Sequence, residues 1–267
     1  MITPRFAHDS RSVAPAAAWP STPTFAQRLS RLYELAEESD HLFGSPLGPF
    51  YDQARTHYLP RFVYFGPHTS QESLRLAVLA GTSPYDLAGA RALLTFIEGL
   101  ALQPNLGQGL NLSFFPLVNV VGLLGGAEDR DLTGENWVRS SESEIRLLGE
   151  DARVRNYQGF VRITMTADSE PSALVRTVVS PTVHVTGIEL FSSEDFAPWP
   201  VRFEALSSGT VTSGPLSIAD DLPSAPFEVE LACPFDWPQS RIDRAIADVL
   251  RRVIVRYRAF HAYGLHL

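Results

Sequence analysis

The feature that most constrains this chain is a strand–turn–helix signal in its first third. An apolar run, Leu74 to Ala80, ends at Gly81. The turn Ser83-Pro84-Tyr85-Asp86 follows. A helical pattern then runs from Leu87 to Leu102, with Leu87, Ala90, Leu93, Leu94 and Ile97 on one face. A strand, a tight turn and a helix in that order place the turn at the C-terminal edge of a sheet, where α/β proteins build their sites. Leu110 to Val118 is another continuous apolar run, which suits a strand covered on both faces.

The rest of the pattern agrees with an α/β chain. Thr24 is placed to cap a helix over Phe25 to Glu38, with Phe25, Leu29, Leu32 and Leu35 at helical spacing. Gly44 to Pro49 reads as loop. Arg61 to Phe65 and Glu72 to Ala80 read as strands joined through Gly66-Pro67-His68, and a hairpin is expected between them. Gly122 to Gly126 reads as a mobile glycine-rich loop, without the Lys-Ser/Thr ending of a phosphate-binding loop. Ser141 to Arg155 reads as a helix opened by a capping box from Ser141 to Glu144. Phe160 to Thr166, Val183 to Phe191, Val201 to Leu206 and Phe227 to Cys233 read as strands, and Arg241 to Ala262 as a long closing helix. Pro198, Pro200, Pro215 and Pro223 break the segment between Glu170 and Ala225. Strands alternating with helices predict an α/β fold with a mixed sheet between helical layers. Residues 1–22, rich in Pro, Ala and Ser, read as an extended or disordered arm, and residues 23–267 as one domain.

Bulk properties remove several function classes. The 267 residues are 45% hydrophobic, enough for one large core. A net charge of -8, with arginine as the sole strong base, argues against nucleic acid and against anionic membrane surfaces. No run approaches the ~20 apolar residues of a membrane span, and the N-terminal residues lack the apolar core of a secretory signal. Cys233 is the single cysteine, so no intrachain disulfide can form, and it reads as a small residue at a strand end. A cytoplasmic protein is expected.

Several landmarks arrive in an order similar to that of the zinc carboxypeptidase family, nearest its succinylglutamate desuccinylase and aspartoacylase branch. Phe62 to Gly66 precedes the run Leu76 to Gly81, and Phe115-Pro116-Leu117-Val118-Asn119-Val120-Val121-Gly122 resembles the family's P-x-x-N-P-x-G turn, with Val120 for Pro. Asp131-Leu132-Thr133-Gly134 falls where the family has Asp-Leu-Asn-Arg. Tyr157 to Thr164 falls where a strand ends in a histidine ligand, and Phe227 to Pro234 where a strand brings the catalytic glutamate. Tyr257 to Tyr263 is similar to the closing helix. The resemblance covers roughly residues 25 to 263 and implies a three-layer α/β/α fold.

Transferred residue by residue, the resemblance implies lost chemistry. The family holds zinc with two imidazoles and a carboxylate, leaving a position open for water. Here Ser83, Asp86 and Thr164 stand at those positions, so two of three ligands become hydroxyls. The metal is therefore expected to be absent, and no other cofactor is implied. The substrate clamp is represented by Asn119, Thr133 and Gly134, with no cation, although Arg130 or Arg139 lies close enough in sequence to substitute. The catalytic glutamate falls on Ala232 when Pro234 anchors the register, or on Glu230 after a two-residue shift of about 6.6 Å along a strand.

Histidines 8, 41, 57, 68, 184, 261 and 266 form no H-x-x-H or H-x-x-x-H pair, and His184 reads as an ordinary strand residue. Asp86, Asp168 and Glu170 could form an oxygen-only cation site, but Asp86 is expected to cap the helix that follows it. A serine hydrolase is disfavoured because Pro84, directly after Ser83, has no N–H to offer an oxyanion. Trp137, Trp199 and Trp237 read as packing residues. These readings predict a carboxypeptidase-like domain without catalysis, binding a small acidic or peptide-like ligand in the old cleft or a protein partner. The alternative is an active metallo-hydrolase, a peptidase or deacylase, rearranged around Asp86, Asp168 and Glu230. A structural or oligomerising subunit whose pocket is filled by Tyr85 and nearby side chains is a third expectation.

Overall fold

The computed structural model describes residues 24–52, 55–69, 74–125, 129–179, 190–207, 213–221 and 226–264. The expected N-terminal arm, His184 and most of the strand expected over residues 183–191 lie outside them.

The chain forms α1 (Phe25–Glu38), β1 (Leu42–Gly44), β2 (Leu47–Asp52), β3 (Arg55–Leu59), β4 (Phe62–Phe65), β5 (Leu74–Leu79), α2 (Leu87–Leu102), β6 (Leu110–Phe115), α3 (Val120–Gly125), α4 (Ser143–Arg155), β7 (Gly159–Thr166), β8 (Ser172–Val179), β9 (Val201–Ser207), β10 (Phe227–Pro234) and α5 (Gln239–Gly264). Eight strands make one mixed sheet in the order β1-β4-β6-β5-β7-β10-β8-β9, and β2 pairs with β3 in a separate ribbon. The centre, β6-β5-β7-β10, is parallel. Its strands carry apolar residues on both sides, as suits a sheet covered on both faces, with Arg162, Glu228 and Glu230 among the charged exceptions. Gly89 of α2 lies so close to Ile163 of β7 that an added Cβ would sit 2.9 Å from it, so α2 packs on the Ile163 face. Phe160, Arg162 and Thr164 therefore point to the opposite face, where Trp137 meets Phe160 edge-on and its carbonyl lies against Gly149 of α4.

Thr24 caps α1 with a full box: Gln27 N donates to the Thr24 hydroxyl, and Thr24 N donates to Gln27 Oε1. Several expectations need correction. Strands β4 and β5 do not form a hairpin. Strand β6 lies between them, antiparallel to β4 and parallel to β5. Adjacency in sequence misleads here because α2 carries the chain back to fill the gap. Residues 42–59 hold three strands where a loop over Gly44 to Pro49 was expected, and β8 was missed. Val120–Gly125 is a helix rather than a mobile loop. The capping box at Ser141 does not form: α4 starts at Ser143, with no side-chain cap from Glu142, and Glu144 is drawn into the interior by Arg130. No described helix is long and apolar enough to cross a membrane.

Candidate functional site

The turn after β5 is built by three local devices. Gly81 takes φ +66, a left-handed conformation that favours glycine, and its carbonyl accepts from Asn119 N at 2.7 Å. Ser83 opens a short 3-10 turn over Pro84–Asp86, with its hydroxyl accepting from Tyr85 N. Asp86 closes the turn by reaching back: Oδ2 accepts from Ser83 N and from the Thr82 hydroxyl, both at 2.9 Å. Its Oδ1 accepts from Met165 N of β7 at 2.9 Å.

Asp86 is 2% exposed. Burial raises its pKa above the usual carboxylate range, against the three hydrogen bonds, which pull it down. Asp86 is the residue before α2 but makes no side-chain bond to that helix, so the expected cap is corrected. The carboxylate is spent instead on joining the turn to β7, next to Thr164. Ser83 and Thr164 are themselves buried. Tyr85 is 72% exposed and packs edge-on against Phe235, so it does not plug the cleft. Among the described residues, no three His, Cys, Asp or Glu side chains are grouped to hold a metal ion. The Asp86–Asp168–Glu170 cluster therefore does not form. Asp168 accepts from the Thr166 hydroxyl on an exposed loop. A donor set of Ser83, an Asp86 already satisfied by three donors, and Thr164 does not fit zinc, which binds sulfur, imidazole and free carboxylate.

Sequence reasoning missed the principal cation. Arg162 points from the middle of β7 toward the segment expected to carry the clamp, and its Nη1 donates to the Thr133 carbonyl at 2.7 Å. Its other side grips Glu230 at 2.7 Å and Glu228 at 3.2 Å. Arg176 of β8 reaches the same two carboxylates, at 3.1 and 3.3 Å, and also Glu204. Burial alone would lower the Arg176 pKa, yet Glu228 and Glu230 outweigh it and hold it raised. The available signal was an arginine at the centre of an otherwise apolar strand, alternating in phase with Thr164.

The other expected clamp residues do different work. Asn119 is fully enclosed: Oδ1 accepts from Gly122 N and from Arg130 Nη1, and Nδ2 donates to the Arg130 carbonyl. Gly122 is required there, because a Cβ would lie 2.5 Å from the Asn119 amide. Arg130 is consumed by Glu144, at 2.6 and 2.7 Å, and by Glu142. Its pKa is raised by those carboxylates against the opposing effect of burial. Gly134 and Arg139 are exposed. A cavity of about 390 Å³ opens beside this network, lined by Ser172, Leu174, Arg176, Arg202, Glu230 and Ala232. Both positions open for the catalytic glutamate thus border one cavity. Cys233 is buried, with its thiol pushed up to about 12 by desolvation, as befits a packing residue. Trp137 and Trp199 are buried too, while the half-buried Trp237 carries the Arg241 guanidinium 3.6 Å from its ring centre.

No protein-family model matches the chain, and no curated protein does. Solved structures do. A metallo-carboxypeptidase from Burkholderia cenocepacia superposes with TM-score 0.67 at 12% identity, over 89% of this chain and 70% of that one. A provisionally assigned metallopeptidase from Shewanella denitrificans OS217 gives 0.62 at 17% identity, over 86% and 88%. Thrombin activatable fibrinolysis inhibitor gives 0.61 at 12% identity, over 85% and 73%. With its mixed eight-stranded sheet and the turn at the C-terminal edge, this chain has the metallo-carboxypeptidase fold.

Proposed function

We propose that this chain is a carboxypeptidase-fold binding module in which the positions used elsewhere for zinc and for catalysis have become structural. The reading rests chiefly on Asp86. Its carboxylate has three protein donors, and it bonds β7 where a metal would otherwise join the same two segments. Thr133 and Gly134 bring no cation of their own, and Arg162 bonds the Thr133 carbonyl instead. Glu230, the remaining candidate base, is ion-paired with Arg162 and Arg176, which blocks its approach to a water. The cavity beside it, with Arg176, Arg202 and Glu230 in its walls, suits a small zwitterionic or peptide-like ligand carrying a carboxylate.

The test combines elemental analysis with peptidase and deacylase assays on purified protein. Bare protein without turnover is expected. Metal-dependent turnover abolished by Glu230→Gln in a folded protein would establish the rearranged metallo-hydrolase instead. The residue mapping has its own test. A folded Ser83→His/Asp86→Glu/Thr164→His variant is expected to gain zinc affinity, and one that gains none overturns the assignment of those three positions.

A further inference from the structure

A second polar site lies at the other end of the parallel strands. Arg75 is the second residue of β5 and Asn111 the second of β6, so both sit at the N-terminal ends of their strands. Five residues of strand, about 17 Å, separate Arg75 from the turn at Ala80. Gln158 clamps the Arg75 backbone from both sides, its Oε1 accepting from Arg75 N and its N donating to the Arg75 carbonyl.

Among the described residues, the Arg75 side chain has no such partners. Its Nε is shielded from solvent with no hydrogen-bond acceptor, and among the described residues nothing pairs with the guanidinium. Buried charged donors are almost always satisfied, so an orphan of this kind points to a missing acceptor. Arg75 lines a cavity of about 460 Å³ together with Arg61, Asn111, Asp151, Arg155 and Tyr157. It also lines an adjoining cavity of about 960 Å³ that shares Asn111.

Among the described residues, Asp151 is the one acid lining the smaller cavity with its three arginines, and it is already engaged. Its Oδ1 takes Arg61 and, at 3.3 Å, Arg155 Nε; its Oδ2 takes the Tyr157 hydroxyl at 2.6 Å. Arg61 is further satisfied by Ser45. Among the described residues, Arg75 and the outer nitrogens of Arg155 are left without acceptors. In a protein of net charge -8 this concentrates positive potential in one concave place.

We propose that this cavity is an oxyanion-binding site, taking a small ligand that presents a carboxylate or a phosphate to Arg75, with Arg155 and Asn111 as accessory donors. A guanidinium offers the paired N–H geometry that both groups accept. The site is independent of the carboxypeptidase-like rim.

Calorimetric titration of the full chain at low ionic strength, with inorganic phosphate in one arm and succinate in the other, tests this. Saturable binding of at least one anion is expected, weakened about tenfold or more in Arg75→Gln. The stronger arm identifies the ligand class. Absence of saturation by either anion up to about 10 mM overturns the proposal, as does wild-type affinity in a folded Arg75→Gln. Should that variant fail to fold, Arg155→Gln carries the same test, because Asp151 keeps Arg61 and Tyr157 as partners. Undiminished affinity there overturns the proposal equally.

Discussion

At the scale of single residues, hydrogen bonds to Asp86 join the turn after β5 to β7. Asp86 accepts three donors and offers none. Asp86→Asn keeps the shape but turns one acceptor into a donor that faces another donor, so a loss of about 1–3 kcal/mol is expected in urea unfolding. The pH dependence has a defined sign. The folded protein holds the Asp86 proton to higher pH than the ordinary 3.8 of the unfolded chain. The stability this group contributes is therefore full below that value and fades as pH rises through the raised folded pKa. Asp86→Asn should flatten that decline; an unchanged slope would place its origin elsewhere. Arg162 makes a contrasting case. Glu228 is 2% exposed and leans on Arg162, so Arg162→Ala should cost about 3–5 kcal/mol by leaving a buried charge poorly compensated. Glu230 is more open, and Glu230→Gln should cost about 1 kcal/mol or less. Equal losses in the two variants would sink this reading of the network.

Individual elements depend on local chemistry that the chain advertises to different degrees. The start of α1 is legible because Thr24 stands directly before an amphipathic run, and Thr24→Ala should cost about 0.5–2 kcal/mol in denaturant unfolding. The start of α4 carries the same kind of signal at Ser141 and Glu144, yet the box does not form. Glu144 finds a stronger partner in Arg130, a charge-assisted fork that a local pattern cannot reveal. The helix Val120–Gly125 was concealed by its glycines. Gly122 is there to admit the Asn119 amide, not to loosen the backbone. Gly122→Ala should therefore destabilise by about 1–3 kcal/mol through overpacking. A stabilised variant, the usual result at an unconstrained helical glycine, would refute this role.

For the molecule as a whole, stability should not depend on metal. If the rim is held by Asp86, chelation should leave the melting temperature unchanged, and zinc should not raise it. A ligand present at a hundred times its Kd would add about 2.7 kcal/mol, an effect visible in a thermal melt. Such a shift would return the rim to metal chemistry. Apolar periodicity, Thr24 and the Gly81 turn were enough to specify α1, α2, α5, the apolar runs of β5 and β6 and a mixed sheet between helical layers, because burial of an apolar face and capping act over a few neighbouring residues. They could not specify that β6 inserts between β4 and β5, that Arg162 reaches Thr133, that Asp86 bonds Met165, or that Arg75 finds no partner among the described residues. Those outcomes turn on ångström distances between residues 29 to 79 positions apart, or on the absence of any such neighbour, and only the folded chain sets them.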